Sequence, residues 1–142
     1  MYDQIFISSQ AEDPVSTLVV EGLAQFNHAE VGDAGKTALI AKPVGGDGQP
    51  LAAGLVGYTV WGWLFVEKLW VGEPLRGRGL AAKLLAAAEG EAVSRGCNRA
   101  WLDTFNPNAK RLYERLGYEV FGELPEFVGS NTRFFMKKQL VT

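Results

Sequence analysis

The sequence contains little of what metal sites, disulfide frameworks and membrane spans require. Its 142 residues include one cysteine and one histidine, Cys97 and His28, whereas a structural zinc site usually takes four such ligands and a disulfide takes two cysteines. No apolar run approaches the roughly 20 residues that cross a bilayer, and no basic leader precedes an apolar stretch. We therefore expect no metal, no internal disulfide, no membrane association and a cytoplasmic location.

An excess of positive charge is also missing. The chain has 14 Lys and Arg residues against 16 Asp and Glu residues, a formal net charge of −2. Because a nucleic-acid-binding face depends on many basic contacts to phosphates, no nucleic-acid partner is expected, although a local basic site for one small anion is compatible with this balance. Hydrophobic residues are abundant at 47%. At this length they predict a single domain that spans residues 1–142.

Periodicity and turn residues predict alternating helices and strands. A dense group of turn formers at residues 45–50 predicts a hairpin. The strand at 99–104 lies between two helices, which predicts that it runs parallel to the strand at 63–71 through a βαβ crossover. The predicted helices are 14–28, 79–95 and 107–116, and the predicted strands are 5–8, 37–44, 51–61, 63–71, 99–104, 118–124 and 132–139. The fold class is mixed α/β (α+β), with a mostly antiparallel central sheet and flanking helices.

A loop rich in glycine and arginine joins the strand at 63–71 to the helix that follows it. The first turn of a helix has unpaired N–H groups and a partial positive charge, and Gly77 and Gly79 would let a phosphate approach the backbone closely. Arg76 and Arg78 add positive charge. The loop matches neither G-x-G-x-x-G nor G-x-x-x-x-G-K-[ST]. Taken alone it indicates either an anion site or a surface turn with solvated arginines.

Two segments resemble motifs of the GNAT superfamily of N-acetyltransferases. Residues 76–81, RGRGLA, match the Q/R-x-x-G-x-G/A signature, and residues 69–71, LWV, stand at the usual distance before it. Residues 106–118, NPNAKRLYERLGY, resemble the N-x-x-A-x-x-L-Y-x-x-x-G-F/Y segment. The resemblance covers about residues 51–140, and the later part of the chain is similar to small bacterial members.

The resemblance implies an N-acetyltransferase that moves an acetyl group from acetyl-CoA to a primary amine of a small molecule or peptide by direct attack. It implies that Tyr113 protonates the leaving thiolate and that Asn106 contacts the pantetheine region. The backbone of Leu69 and Val71 would pair with the pantetheine arm. Amides of the loop would hold the pyrophosphate, namely those of Arg76, Gly77, Arg78, Gly79, Leu80, Ala81 and Ala82. Dimers are common in the family, so a homodimer through the terminal strands is compatible with the sequence.

Attack by an amine requires a proton acceptor. A lysine-like amine with a pKa of about 10.4 is neutral in about one molecule in 2500 at pH 7, a penalty of about 4.6 kcal/mol. Glu67 shares strand parity with Leu69 and Val71, so alternation places it on an otherwise apolar face; many family members carry an acid two residues earlier, where this chain has Phe65. Asp103 lies near the carboxyl end of its strand, where α/β crevices gather ligands. Both remain candidates, beside a surface ion pair for Glu67 and a turn acceptor for Asp103.

Two other functions use the same motifs. A non-catalytic acyl-CoA-binding sensor or regulatory module would need the loop but no base, and a nucleotide-binding protein would use the loop for ATP. The aromatic residues of the central region either line an acceptor slot or belong to the core. They are Trp61, Trp63, Phe65, Trp70 and Phe105.

Overall fold

The structure, a computed structural model, describes residues 4–49 and 51–141. The chain divides into two compact units, the first ending at Ala34 and the second beginning at Gly35, and each is described by itself. The single domain expected from length stays a prediction. The elements are α1 (Pro14–Val31), β1 (Thr37–Ala41), β2 (Ala53–Val60), β3 (Trp63–Val71), a 3-10 helix (Glu73–Leu75), α2 (Leu80–Ser94), β4 (Arg99–Thr104), α3 (Pro107–Arg115), β5 (Glu119–Val128) and β6 (Asn131–Gln139).

The first unit contains α1, whose start follows the sequence signals. The Asp13 carboxylate accepts a hydrogen bond from the Val15 N–H at 3.0 Å, and proline occupies the first helical position. The helix is confirmed and is three residues longer than predicted. The strand predicted at residues 5–8 is wrong, because a short apolar run becomes a strand only when another strand pairs with it, and no ladder in the described chain includes these residues.

The second unit is built on a six-stranded sheet with the order β1-β2-β3-β4-β6-β5. Every neighbouring pair is antiparallel except β3 and β4, which are parallel across the crossover helix α2. The turn between β2 and β3 places both Trp61 and Gly62 at positive φ, 46° and 78°, as a two-residue type I′ hairpin requires. The predicted mixed α/β class and the parallel crossover are therefore confirmed.

Two strand boundaries differ from the predictions for local reasons. β1 ends at Ala41 rather than at residue 44, shortly before Pro43, which has no N–H to donate to a ladder. β5 continues to Val128 beyond the predicted end at residue 124 because an irregularity between Leu124 and Val128 restores pairing with β6. Within that irregularity Glu126 adopts a positive φ of 53°.

One apolar core lies between the sheet and helices α2 and α3. Helix α2 contacts β1, β2 and β3, whereas α3 contacts β4. The largest fully buried side chains are aliphatic, namely Leu55, Leu64, Leu85, Leu102 and Met136. The carboxyl ends of β3 and β4 and the amino ends of α2 and α3 therefore meet at one edge of the unit. Among the described residues, no helix combines the length and apolar character of a membrane span.

Candidate active site

Strands β3 and β4 pair over only part of their lengths. Trp63, Leu64 and Phe65 face Arg99, Ala100 and Trp101, and in the described chain the parallel pairing extends no further. β3 nevertheless continues to Val71 and β4 to Thr104. The two strands thus leave a notch at their carboxyl ends, in which one side of β3 has no strand partner. The notch leaves room for an extended ligand beside Leu69 and Val71. That such a ligand pairs with their backbone stays a prediction.

A β-bulge in β3 determines the position of Glu67. Val56 faces Lys68 and the next residue, Gly57, faces Val66, so Glu67 is an extra residue in its strand. Before the bulge the even-numbered residue Val66 points into the core, and after it the odd-numbered residue Leu69 does. The alternation of inward and outward side chains therefore shifts by one residue at Glu67. Glu67 itself is exposed. The prediction that alternation places Glu67 on the apolar face is wrong, because strict alternation fails at a bulge.

A cavity of about 480 Å³ brings both candidate carboxylates together. Glu67 enters it from the bulge of β3, Asp103 from the end of β4, and Asn106 from the start of α3. Tyr113 is not part of its lining. The remaining lining residues are Lys68, Thr104, Phe105, Phe127 and Arg133. The two acids that the sequence left as alternatives therefore face the same space.

The two carboxylates differ in their partners. Asp103 Oδ1 accepts a hydrogen bond from Arg133 Nε at 2.9 Å and forms an ion pair with Arg133 Nη2 at 2.7 Å. The Arg133 guanidinium lies 4.9 Å and 5.0 Å from the ring centroids of Phe127 and Phe135, which restricts its movement. The Glu67 side chain has no ion pair or hydrogen bond to any described residue. Asp103 is therefore fixed by a charge-assisted contact, whereas the Glu67 carboxylate is unpaired among the described residues.

The sequence interpretation missed Arg133, Lys68 and Phe127. Arg133 reaches Asp103 only because β4 and β6 pair with Asp103 opposite Phe135, a register that hydrophobic alternation does not specify. Phe127 reaches the cavity through the irregular part of β5. The only sequence signal for Arg133 was a basic residue in a predicted terminal strand. Such a residue indicates no partner until the pairing of the strands is known.

Tyr113 lies on α3 with 8% of its surface exposed. Its ring packs edge-on against Tyr118, with centroids 6.1 Å apart, and its hydroxyl makes no hydrogen bond to a described residue. Burial, followed by the negative charge of Asp103, raises the pKa of Tyr113. Tyr113 is therefore protonated at neutral pH and can donate a hydrogen bond. The raised pKa also makes complete proton transfer to a thiolate more uphill than for an ordinary tyrosine.

The amino end of α2 differs from those of the other two α-helices. A side chain caps α1, and the Asn106 Oδ1 caps α3 by accepting from the N–H groups of Asn108 and Ala109 at 2.8 Å and 3.3 Å. Helix α2 begins after Gly79, whose φ of 72° is left-handed, and has no side-chain cap. The N–H groups of its first turn therefore remain available to an anion.

The loop before α2 is held in place by one contact to the residue before β2 and one contact to the end of β3. The Gly72 N–H donates to the Ala52 carbonyl at 2.7 Å, and Arg76 Nε donates to the Val71 carbonyl at 2.9 Å. The guanidinium group of Arg76 is therefore attached to the end of β3. Arg78 is exposed, so it can still contribute charge to a bound anion.

Of the five aromatic residues considered for an acceptor slot, only Phe105 lines the cavity with the carboxylates. Trp61 and Trp63 line a different cavity. Phe65 stacks on Trp101, with centroids 4.0 Å apart. Trp70 is 59% exposed.

The chain is similar in sequence to known acetyltransferases. The model of the acetyltransferase (GNAT) family matches residues 7–118. The acetyltransferase Atu2258 of Agrobacterium fabrum is 38% identical over 133 residues, which cover 94% of this chain and 96% of that protein. The blasticidin-S acetyltransferase of Streptomyces morookaense is 36% identical over 96 residues, 67% of this chain and 71% of that protein.

A solved structure shows the same relationship. The crystal structure of an acetyltransferase from Agrobacterium tumefaciens is 37% identical, has a TM-score of 0.85 and covers 96% of this chain and 99% of its own. The family model matches most of the chain, and the two sequence relatives and this structure are 36% to 38% identical to it. The chain belongs to the GNAT family and is an acyl-CoA-dependent acetyltransferase.

Proposed function

We propose that this enzyme transfers an acetyl group from acetyl-CoA to the primary amine of a small molecule that binds in the cavity of Glu67 and Asp103. The observation that carries the proposal is the notch between β3 and β4, which opens beside these carboxylates. The relative from Streptomyces morookaense is named for the acetylation of blasticidin S. That name favours a small molecule over a peptide and an enzyme over a non-catalytic sensor.

The residues at the amino end of α2 fit the donor. The uncapped first turn after Gly79 presents N–H groups to a pyrophosphate, and Arg78 adds positive charge beside it. The backbone of Leu69 and Val71 faces the notch, so that an extended pantetheine arm would bind along β3. Acetyl-CoA supplies a thioester carbonyl carbon that an amine can attack.

Glu67 is the base in this proposal. Its carboxylate has no partner among the described side chains, whereas Asp103 already accepts a hydrogen bond from Arg133 Nε and forms an ion pair with Arg133 Nη2. Glu67 takes a proton from the substrate ammonium group, directly or through one water molecule, so that the neutral amine can attack the acetyl carbon. Asp103, fixed by Arg133, holds the substrate ammonium group in the cavity before this transfer. A second proton leaves the nitrogen for solvent as the bond between the acetyl carbon and the sulfur breaks.

Tyr113 assists the departure of the thiolate. An ordinary tyrosine has a pKa about 1.5 units above that of a thiol, so full proton transfer costs about 2 kcal/mol. Burial and Asp103 raise the pKa of Tyr113 further, so donation of a hydrogen bond to the sulfur is its principal contribution. The proton that finally reaches the thiolate can come from solvent.

The test is release of free CoA thiol in the presence of a panel of amines. Cys97 is the only cysteine, is 3% exposed and has a pKa raised by burial, so the native protein contributes little thiol background. We expect release that depends on a small primary amine, with formation of its N-acetyl product detected by mass spectrometry. Tight CoA binding without release that depends on any amine of the panel would overturn the proposal that the acceptor is a small primary amine.

A further inference from the structure

Three polar side chains from different elements meet behind Tyr113. The Tyr118 hydroxyl donates to Glu89 Oε2 at 2.8 Å, and Lys138 Nζ donates to Glu89 Oε1 at 2.9 Å. Glu89 lies on α2, Tyr118 follows α3, and Lys138 lies on β6. We call these three residues the Glu89 cluster. It joins the helix that begins at the donor loop, the helix that carries Tyr113, and the strand that carries Arg133.

The Glu89 cluster is largely shielded from water. Tyr118 is 3% exposed, and the side chains of Glu89 and Lys138 are 14% and 24% exposed. A shielded ion pair is weak support for stability, because removing two charges from water offsets much of their attraction and apolar residues of similar size often serve as well. The observed geometry therefore calls for an explanation other than stability.

Tyr118 holds Tyr113 at two points. The rings pack edge-on at an interplanar angle of 60°, and the Tyr118 N–H donates to the Tyr113 carbonyl at 2.9 Å. The Tyr113 hydroxyl has no hydrogen-bond partner among the described residues, so its direction depends on how the ring is packed. The position of the Tyr113 ring therefore depends on the position of the Tyr118 ring. The hydrogen bond from the Tyr118 hydroxyl to Glu89 in turn fixes Tyr118.

The third member of the cluster supports the end of α3. Gly117 has a φ of 99°, and a Cβ built on it would lie 3.3 Å from Lys138 Cε. The aliphatic part of Lys138 therefore packs directly against the turn that leads from Tyr113 to Tyr118, while its ammonium group binds Glu89. Both ends of the Lys138 side chain thus restrict this turn.

We propose that the Glu89 cluster positions the Tyr113 ring for its contact with the leaving sulfur. Tyr118, Glu89 and Lys138 are positioning residues, because each acts through the Tyr113 ring or the turn that follows α3. The inference rests on the proposed function, in which Tyr113 assists thiolate departure. It predicts an effect on turnover rather than on substrate binding, since small displacements of a catalytic group cost far more in rate than in affinity.

The test is a double-mutant cycle between Tyr118→Phe and Tyr113→Phe, with kcat and both KM values measured. Tyr118→Phe keeps the ring but removes its hydrogen bond to Glu89. We expect Tyr118→Phe alone to lower kcat about five- to twentyfold with KM values changed less than about twofold. In the Tyr113→Phe background the same substitution should change kcat less than about twofold, because no hydroxyl remains to be positioned.

Thr59→Val is the matched control. Thr59 is 5% exposed, and its hydroxyl accepts a hydrogen bond from Arg95 Nη1 at 3.1 Å, so this change also deletes a buried hydroxyl but does so at the β1 side of the sheet. It should lower stability and leave kcat unchanged. Lys138→Met keeps the aliphatic part of the side chain and removes its charge, and it should lower kcat as Tyr118→Phe does. It replaces Tyr118→Phe in the test if the Tyr118→Phe protein folds poorly.

The outcomes separate the two proposals. If Tyr113→Phe lowers kcat but Tyr118→Phe and Lys138→Met do not, the cluster has no positioning role and the proposed function stands. If Tyr118→Phe lowers kcat equally in both backgrounds, it does not act through Tyr113, and the inference is overturned. If Tyr113→Phe leaves kcat unchanged, the role of Tyr113 in the proposed function fails, and the inference fails with it.

Discussion

Gly57 lies against the carbonyl group of Phe65 on the neighbouring strand, so closely that a Cβ built at position 57 would be 2.1 Å from that oxygen. No side chain fits at such a distance. The contact occurs where β3 bulges at Glu67, because the extra residue pushes the β3 backbone toward β2. A glycine on one strand thus permits the displacement that brings a candidate catalytic carboxylate into the cavity.

Gly57→Ala should therefore damage both stability and activity. The new methyl group must displace the Phe65 carbonyl, which we expect to cost about 1–3 kcal/mol of unfolding free energy and to shift Glu67. Urea denaturation and kcat/KM measure the two effects. Gly54→Ala on the same strand is the control, since its Cβ would meet the Ala41 carbonyl at 3.4 Å, an ordinary contact. Equal results for the two alanines would contradict the role of the bulge.

Substitutions of Glu67 and Asp103 should show which carboxylate accepts the proton and which holds the substrate ammonium group. Glu67→Gln removes the unpaired carboxylate, and we expect kcat to fall about 10²- to 10⁴-fold with a small change in KM for the amine. Asp103→Asn keeps an oxygen for Arg133 but removes the charge that holds an ammonium group, so KM for the amine should rise more than kcat falls. Steady-state kinetics with the amine as the varied substrate distinguish these results. The reverse pattern would make Asp103 the base.

Much of the fold follows from local signals in the sequence. β3 and β4 have the predicted bounds, since glycines stand at both ends of β3 and β4 is a short apolar segment between two helices. Helix α3 begins where Asn106 and Pro107 indicate. In these cases the boundary depends on the residue at the boundary, so a single sequence is sufficient.

The arrangement of the site depended on information that no local pattern contains. The bulge at Glu67 follows from the register of β2 against β3, and the ion pair of Asp103 with Arg133 follows from the register of β4 against β6. Residues 30 positions apart in sequence meet there. The family motifs indicated the donor loop and Tyr113, but choosing between the two acids required knowledge of their partners.

Alkaline pH should destabilise the protein through its buried tyrosines. Burial, followed by the charge and hydrogen bond of Glu89, raises the pKa of Tyr118, and burial raises that of Tyr113. The unfolded chain therefore loses these protons near pH 10, whereas the folded protein retains them, so stability falls as pH rises above about 10. Below that pH both states bind the protons and the effect vanishes.

Tyr118→Phe should make this alkaline decline less steep. Removing one such proton lowers the slope by up to about 1.4 kcal/mol per pH unit. Urea denaturation at several pH values between about 8 and 11 measures the slope. Thr59→Val, which deletes a buried hydroxyl that does not titrate in this range, should retain the wild-type slope. A Tyr118→Phe protein that also retained it would show that Tyr118 ionises equally in both states.

The two ends of α2 offer a comparison that isolates ligand binding from strain. Gly79 at the amino end and Gly96 just beyond the carboxyl end have φ values of 72° and 90°, and a Cβ built on either meets nothing within 4 Å. Alanine at either position should cost a similar amount, about 1–2 kcal/mol, because both backbones are left-handed. Chemical denaturation should therefore give nearly equal losses for the two variants.

Only Gly79→Ala should weaken binding of CoA. Its methyl group enters the open space beside the first-turn N–H groups of α2, where a pyrophosphate has to approach, whereas Gly96→Ala places one at the opposite end of the helix. We expect the Kd for CoA, measured by calorimetry, to rise about tenfold for Gly79→Ala, which corresponds to about 1.4 kcal/mol. Gly96→Ala should leave Kd within about twofold. If both alanines weakened binding equally, strain in the helix would account for the loss, and the amino end of α2 would not be the anion site.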